Sequence, residues 1–215
     1  MPQPWGQFEE RDHWGLTGVP GSGKTVLLRD LTRSARRAVF FDPPRGLGAE
    51  GVVVTAAELA AYPELLAGEW MRVVVQPEGG DVDLADEFVA TVKAARAARE
   101  HGGLLLVVDE VGDVGRRGAQ SRPALALEAL HRNGHHDGVA SLIASQRAQD
   151  IPLGARATAN RFLSLLQDHP HDLAALSEVY GEEYAARVAA WKPGDLPVTW
   201  ARVALRFPHP ATPKE

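Results

Sequence analysis

Short apolar runs alternate along this chain with longer stretches whose apolar residues recur at helical spacing. That alternation predicts an α/β fold with a mainly parallel central sheet flanked by helices. His13–Thr17 reads as a strand that enters a Gly-rich turn, and Gly23 to about Arg36 as a helix with Val26, Leu27 and Leu31 facing inward. Strands follow at Ala38–Phe41, Gly51–Thr55 and Arg72–Gln76. Between the last two, Ala56–Ala67 reads as a helix that Pro63 kinks or interrupts. Leu84–His101 is a long helix, with Leu84, Phe88 and Val92 on one face. Leu104–Val108 is wholly apolar, as expected of a central strand, and ends in two carboxylates.

Beyond it, Gly112–Arg122 reads as a loop, Pro123 to about Arg132 as a helix, and Val139–Ser145 and Arg161–Leu166 as strands. A helix pair, Asp172–Tyr180 and Glu182–Ala190, is broken at Gly181, and Val198–Phe207 reads as a strand at the sheet edge. No internal repeat interrupts this order. A single domain is expected, with a core over about 13–167, a small C-terminal helical and strand extension over about 168–207, and a loose Pro-rich tail at 208–215.

Two motifs carry chemistry. Gly18-Val19-Pro20-Gly21-Ser22-Gly23-Lys24-Thr25 matches G-x-x-x-x-G-K-[ST] throughout, between a predicted strand and a predicted helix, with Val26 opening the helix behind it. Glycines let backbone N–H groups wrap a phosphate, and the helix presents its N-terminus to the same anion. Lys24 is then expected to reach the β- and γ-phosphates of ATP, and Thr25 to ligate Mg²⁺. The second motif is Leu104–Val108 followed by Asp109 and Glu110. At the C-terminal end of a parallel strand, where open α/β sheets bind ligands, Asp109 is expected to hold Mg²⁺ through water. Glu110 is expected to activate the attacking water as general base. Gln146 ends the next strand, where its side chain can reach the γ-phosphate or that water. Asp42 either supports the site or shapes the turn before Pro43 and Pro44.

Composition narrows the partners. The chain has no cysteine, which excludes disulfides, thiolate zinc sites and a cysteine nucleophile. Its net charge of −5 makes it no general polyanion binder, so contact with DNA has to come from local arginines. The acidic N-terminal stretch lacks the pattern of a signal peptide, and no apolar run is long enough to span a bilayer.

Taken in order, Gly18–Thr25, Phe41-Asp42-Pro43, Val108-Asp109-Glu110, Ser145-Gln146-Arg147 and Asp150-Ile151-Pro152 resemble the HerA/FtsK superfamily of DNA-translocating ATPases. The small size is most similar to the genome-packaging ATPases of tailless icosahedral viruses. Asn160–Leu166, Asp168-His169-Pro170 and Trp191-Lys192-Pro193-Gly194 resemble the C-terminal half of that family, so the resemblance covers roughly residues 14–200. It implies a RecA-like P-loop NTPase core and a ring-shaped homo-oligomer, pentamer or hexamer, around double-stranded DNA. It also implies capsid-vertex proteins as further partners, and a place in the host cytoplasm or on the virion. Zonular-occludens-toxin-like morphogenesis or secretion ATPases share these motifs. A slowly hydrolysing assembly switch is a third reading, against which Glu110 argues.

Such a ring needs an arginine from the neighbouring subunit. The candidates are Arg116, Arg117, Arg122, Arg132 and Arg147, with Arg132 foremost as a catalytic residue. Arg116 and Arg117, flanked by glycines, also suit contacts to a DNA backbone. His131, His135 and His136 lack the companion ligands of a metal site and are expected at the surface. Trp191 and Trp200 are expected in the core or at a subunit interface.

Overall fold

Five consecutive apolar residues can be a strand only if both faces of the sheet are covered, and β5 (Leu104–Val108) is buried at every position. The computed structural model describes residues 12–48, 50–77, 84–101, 103–115 and 121–201. The strands are β1 (His13–Thr17), β2 (Arg37–Phe41), β3 (Val52–Val54), β4 (Met71–Val75), β5, β6 (Val139–Ser145), β7 (Arg161–Ser164) and β8 (Val198–Ala201). They form one sheet in the order β3-β4-β2-β5-β6-β1-β7-β8. Every pairing is parallel except that of β8, which runs antiparallel on β7 at the edge.

Strand side chains alternate between two cores. On one side, Trp14, Leu16, Phe40 and Leu142 pack beneath Leu28 and Leu31 of α1 (Lys24–Thr32). On the other, Val39, Phe41, Leu106 and Ile143 meet side chains from all the remaining helices. These are α2 (Ala56–Ala61), α3 (Leu84–Ala97), α4 (Val111–Gly115), α5 (Arg122–Asp137), α6 (Leu153–Thr158), α7 (Pro170–Tyr180) and α8 (Glu182–Ala189). Gly15 lies opposite Phe162 in the β1–β7 register. A Cβ there would stand 2.2 Å from the Phe162 ring, so only glycine admits the ring.

The boundaries depart from the sequence pattern in instructive ways. Val26 is 61% exposed, and the inner face of α1 is Leu28 and Leu31 with Leu27 at its margin. Thr55 and Glu58 form a reciprocal capping box on α2, and Pro63 opens a separate 3₁₀ turn, Pro63–Leu66, where a single helix was expected. Part of the expected loop at 112–122 is helical, in α4 and the start of α5. α6 was not anticipated at all. Arg116, Arg117 and the tail at 208–215 lie outside the described residues. Trp191 is buried, and Trp200 packs against Tyr180 at the core's margin.

The expected surface histidines need correcting. α5 runs past Gly134 to Asp137, and the turn is made by Gly138 at φ 64°. His131 therefore sits on the inner face of that helix, 5% exposed. Its Nε2 lies 3.0 Å from Ser141 Oγ, which lies 2.9 Å from His13 Nδ1, and its Nδ1 lies 3.2 Å from Thr158 Oγ1. The rings of His13 and His131 stack at 4.5 Å. This polar chain occupies the edge of the sheet where β1 begins. His136 is exposed, as expected.

Candidate nucleotide phosphate site

The C-terminal tips of β5, β6, β1 and β7 lie side by side, because those four strands are consecutive in the sheet. Each delivers a polar residue to one edge: Asp109 and Glu110, then Ser145 and Gln146, then the loop Gly18–Gly23, then Gln167.

The loop is held at both ends. Val19 N–H donates to Leu166 O at 3.0 Å, and Ser22 N–H to Val19 O at 3.1 Å. Gly21 and Gly23 adopt φ 78° and 93°, a region L side chains rarely enter, and nothing lies within 4 Å of where their Cβ atoms would stand. The backbone thus faces an open hollow. α1 begins at Gly23 with no side-chain cap and no acidic residue in its first turn, so its leading amides and positive dipole end are left for an anion. Ser22 Oγ is buried without a hydrogen-bond partner.

Lys24 closes the hollow from below. Its Nζ lies 3.6 Å from Asp109 Oδ1 and 3.5 Å from Glu110 Oε2, and all three side chains are buried. Burial pushes the Asp109 carboxyl up from the usual range. The Lys24 charge opposes that shift, and the charges of Asp42 and Glu110 add to it. Asp109 Oδ1 makes no hydrogen bond. A buried carboxylate oxygen paired with a lysine, together with the Thr25 hydroxyl on the first turn of α1, is a donor set suited to a hard divalent cation. Asp42 accepts from Gly46 N–H and Leu47 N–H, both at 3.1 Å, so it shapes the turn after β2 while its charge also acts on Asp109.

Glu110 has φ 59°, unusual for a residue with a side chain, and this turns its carboxylate back toward β6. There Ser145 Oγ donates to Oε1 at 2.9 Å, and Gln146 N–H lies 3.2 Å from both oxygens. Gln146 meets Glu110 through its backbone, while its side chain is exposed. Gln167 was missed in the sequence. It is 1% exposed and donates through Nε2 to Thr17 Oγ1 and to Gln146 O. Its signal, a polar residue ending an apolar strand, was the same one that singled out Gln146.

The arginines divide clearly. Arg147 donates to buried Asp172 at 3.2 Å, and Arg122 pairs with Asp86. Arg132 is exposed, with a 3.4 Å contact to the Glu128 carbonyl on its own helix. It follows His131, whose ring packs where β1 begins, at the strand end opposite the phosphate loop.

A parallel sheet with a phosphate loop on β1 and a further strand between it and the carboxylate strand has counterparts of known structure. No family model and no curated protein matches the sequence. Among solved structures, the genome packaging NTPase B204 from Sulfolobus turreted icosahedral virus 2, in complex with AMP, superposes with a TM-score of 0.70. That match covers 90% of this chain and 94% of B204 at 18% identity. The fold is that of a RecA-like P-loop NTPase. The DNA-packaging ATPase B204 from Sulfolobus Turreted Icosahedral Virus gives 0.65 at 22% identity, over 86% of this chain and 90% of that one. VirB4 of Thermoanaerobacter pseudethanolicus gives 0.59 at 15% identity, over 90% and 89%. The shared fold spans nearly all of each of these chains. Among the described residues, no helix is long and apolar enough to cross a membrane.

Proposed function

We propose that this chain is an ATP hydrolase that drives double-stranded DNA translocation, as a subunit of a viral genome-packaging motor. The observation that carries the hydrolase part is the Lys24–Asp109–Glu110 cluster beneath an open glycine loop. The loop amides from Gly18 to Thr25 and the N-terminus of α1 bind the phosphates, and Lys24 exchanges its carboxylate partners for phosphate oxygens. Thr25 and Asp109 would hold Mg²⁺, which when bound supplies charge neutralisation for the phosphates. Glu110 orients a water and takes its proton, aided by the Ser145 hydroxyl and Gln146 N–H that hold its carboxylate in place.

The translocation part rests on the sequence resemblance and on the shared fold of the packaging NTPases. In this reading the ring places Arg116 and Arg117 toward the DNA, and Arg132 reaches the neighbour's γ-phosphate as the trans arginine. Its exposure and its distance from its own loop suit a role in trans.

Mixed subunits test both parts together. Arg132→Ala chains are expected to hydrolyse ATP slowly alone. They should regain activity beside Lys24→Ala chains, which have a dead site but an intact Arg132. The same samples report oligomeric state and stimulation by double-stranded DNA. A chain that stays monomeric, hydrolyses ATP fully and ignores DNA removes the motor reading while leaving the hydrolase. A chain that binds ATP without turnover is the assembly switch.

A further inference from the structure

We infer that Gln167 is a positioning residue for the Glu110 carboxylate, acting through Gln146. The inference rests on the hydrolase reading above and extends it. The β1–β6 ladder ends at the pair Thr17 and Ser145, where β1 turns into the phosphate loop and β6 turns away beneath Glu110. Beyond that pair, among the described residues, no strand partner holds the backbone of Gln146. The Gln167 side chain stands in for one. Its two Nε2 hydrogens go to Thr17 Oγ1 on one side and to Gln146 O on the other.

Gln146 is thereby fixed at both ends. Its carbonyl is held by Gln167, and its N–H faces both Glu110 oxygens at 3.2 Å. The series runs from Thr17, one residue before the phosphate loop, through Gln167 and Gln146 to the carboxylate that faces the loop's lysine. One amide therefore ties the phosphate-loop strand to the carboxylate's resting position.

The cost of the arrangement supports a role beyond packing. Gln167 is 1% exposed, and its Oε1 has no hydrogen-bond partner among the described residues. An apolar side chain of equal length would fill the same space without that buried polar atom. What Gln167 adds is the pair of donors from Nε2. Losing them frees the Gln146 carbonyl, lets its N–H leave Glu110, and displaces the carboxylate. A misplacement of about 1 Å at a reacting group costs on the order of a hundredfold in rate.

The test uses the full chain and measures ATP turnover and equilibrium binding of a fluorescent ATP analogue. Gln167→Met keeps the volume and removes both donors. Gln167→Glu keeps the shape and sets an acceptor against the Gln146 carbonyl. Each is made alone and with Glu110→Gln. For both single variants, kcat is expected to fall roughly ten- to a hundredfold while analogue affinity stays within about threefold. In the Glu110→Gln background, neither should reduce turnover further, because the group being positioned is already disabled. The inference is overturned by a Gln167→Met kcat within about twofold of wild type, by a loss confined to affinity, or by an equal proportional loss beside Glu110→Gln. Thr17→Val, which removes the other anchor of the same amide, takes the place of any variant that fails to fold and is read by the same criteria. Absence of turnover in the wild type, with binding intact, would remove the hydrolase reading itself and the positioning role with it.

Discussion

His131 offers the sharpest test of the buried polar chain at the far edge of the sheet. The Thr158 hydroxyl donates to Gly154 O at 2.7 Å, so toward His131 it can only accept. His131 therefore carries its proton on Nδ1 and accepts at Nε2 from the Ser141 hydroxyl, and Ser141 in turn accepts from His13 Nδ1–H. A second proton on His131 would leave the Ser141 hydroxyl facing two donors, beside a stacked imidazole. Burial first, and the neighbouring His13 second, lower the His131 pKa from 6.5 to about 3. A depressed histidine binds its proton more readily in the unfolded chain. Its contribution to stability is complete above pH 6.5 and is lost as pH falls from there toward 3, at about 1.4 kcal/mol per pH unit. Between pH 7 and 5 the loss is about 2 kcal/mol, or roughly 4–8 °C in melting temperature for a domain of this size. Thermal unfolding followed by circular dichroism from pH 8 to 5 measures it. The chain has 8 histidines, so the comparison is with His131→Gln, which isolates the one at issue. That variant is expected to be less stable at pH 7 and to lose less on acidification. Equal slopes in the two proteins would refute the argument.

Other outcomes follow from the phosphate site and the core. Lys24→Ala should weaken ATP binding by about 10- to 100-fold, since the phosphates lose their buried cation, and an unchanged titration would remove the loop's assignment. Glu110→Gln should bind ATP as the wild type does and turn over about 10²- to 10⁴-fold more slowly. Turnover close to wild type would move water activation elsewhere. Gly15→Ala should destabilise the fold by about 1–3 kcal/mol in urea titration, because the new Cβ meets a fully buried Phe162 ring at 2.2 Å. A neutral effect would mean that the ring has room to move.

The elements legible in the sequence were those whose physics is local. Leu104–Val108 and Val139–Ser145 were read to the residue, because a mostly apolar run that follows a glycine and ends at polar residues has few other uses. The phosphate loop was equally plain, since positive φ at Gly21 and Gly23 needs glycine. Helical spacing alone could not say that Val26 faces outward, because the face α1 buries depends on the sheet beneath it. His131 was misread because a histidine before Gly134 looks like a helix end, and only Ser141 and Thr158, distant in sequence, make its burial tolerable. Gln167 was passed over for a related reason. Its place at the end of an apolar strand was a local signal, but its partners Thr17 and Gln146 lie 150 and 21 residues away, so their meeting could not be read from the sequence.

The place of β1 in the sheet also sets the order in which the chain can be assembled. Its neighbours are β6 and β7, both supplied by residues beyond 138, while β2, β4 and β5 can already pair among themselves. A growing chain that has not yet reached Ser164 holds its glycine loop on a strand with an incomplete berth. Such distant pairings also make the closing step slow, and until β7 arrives the free flank of β1 is open to association with other chains.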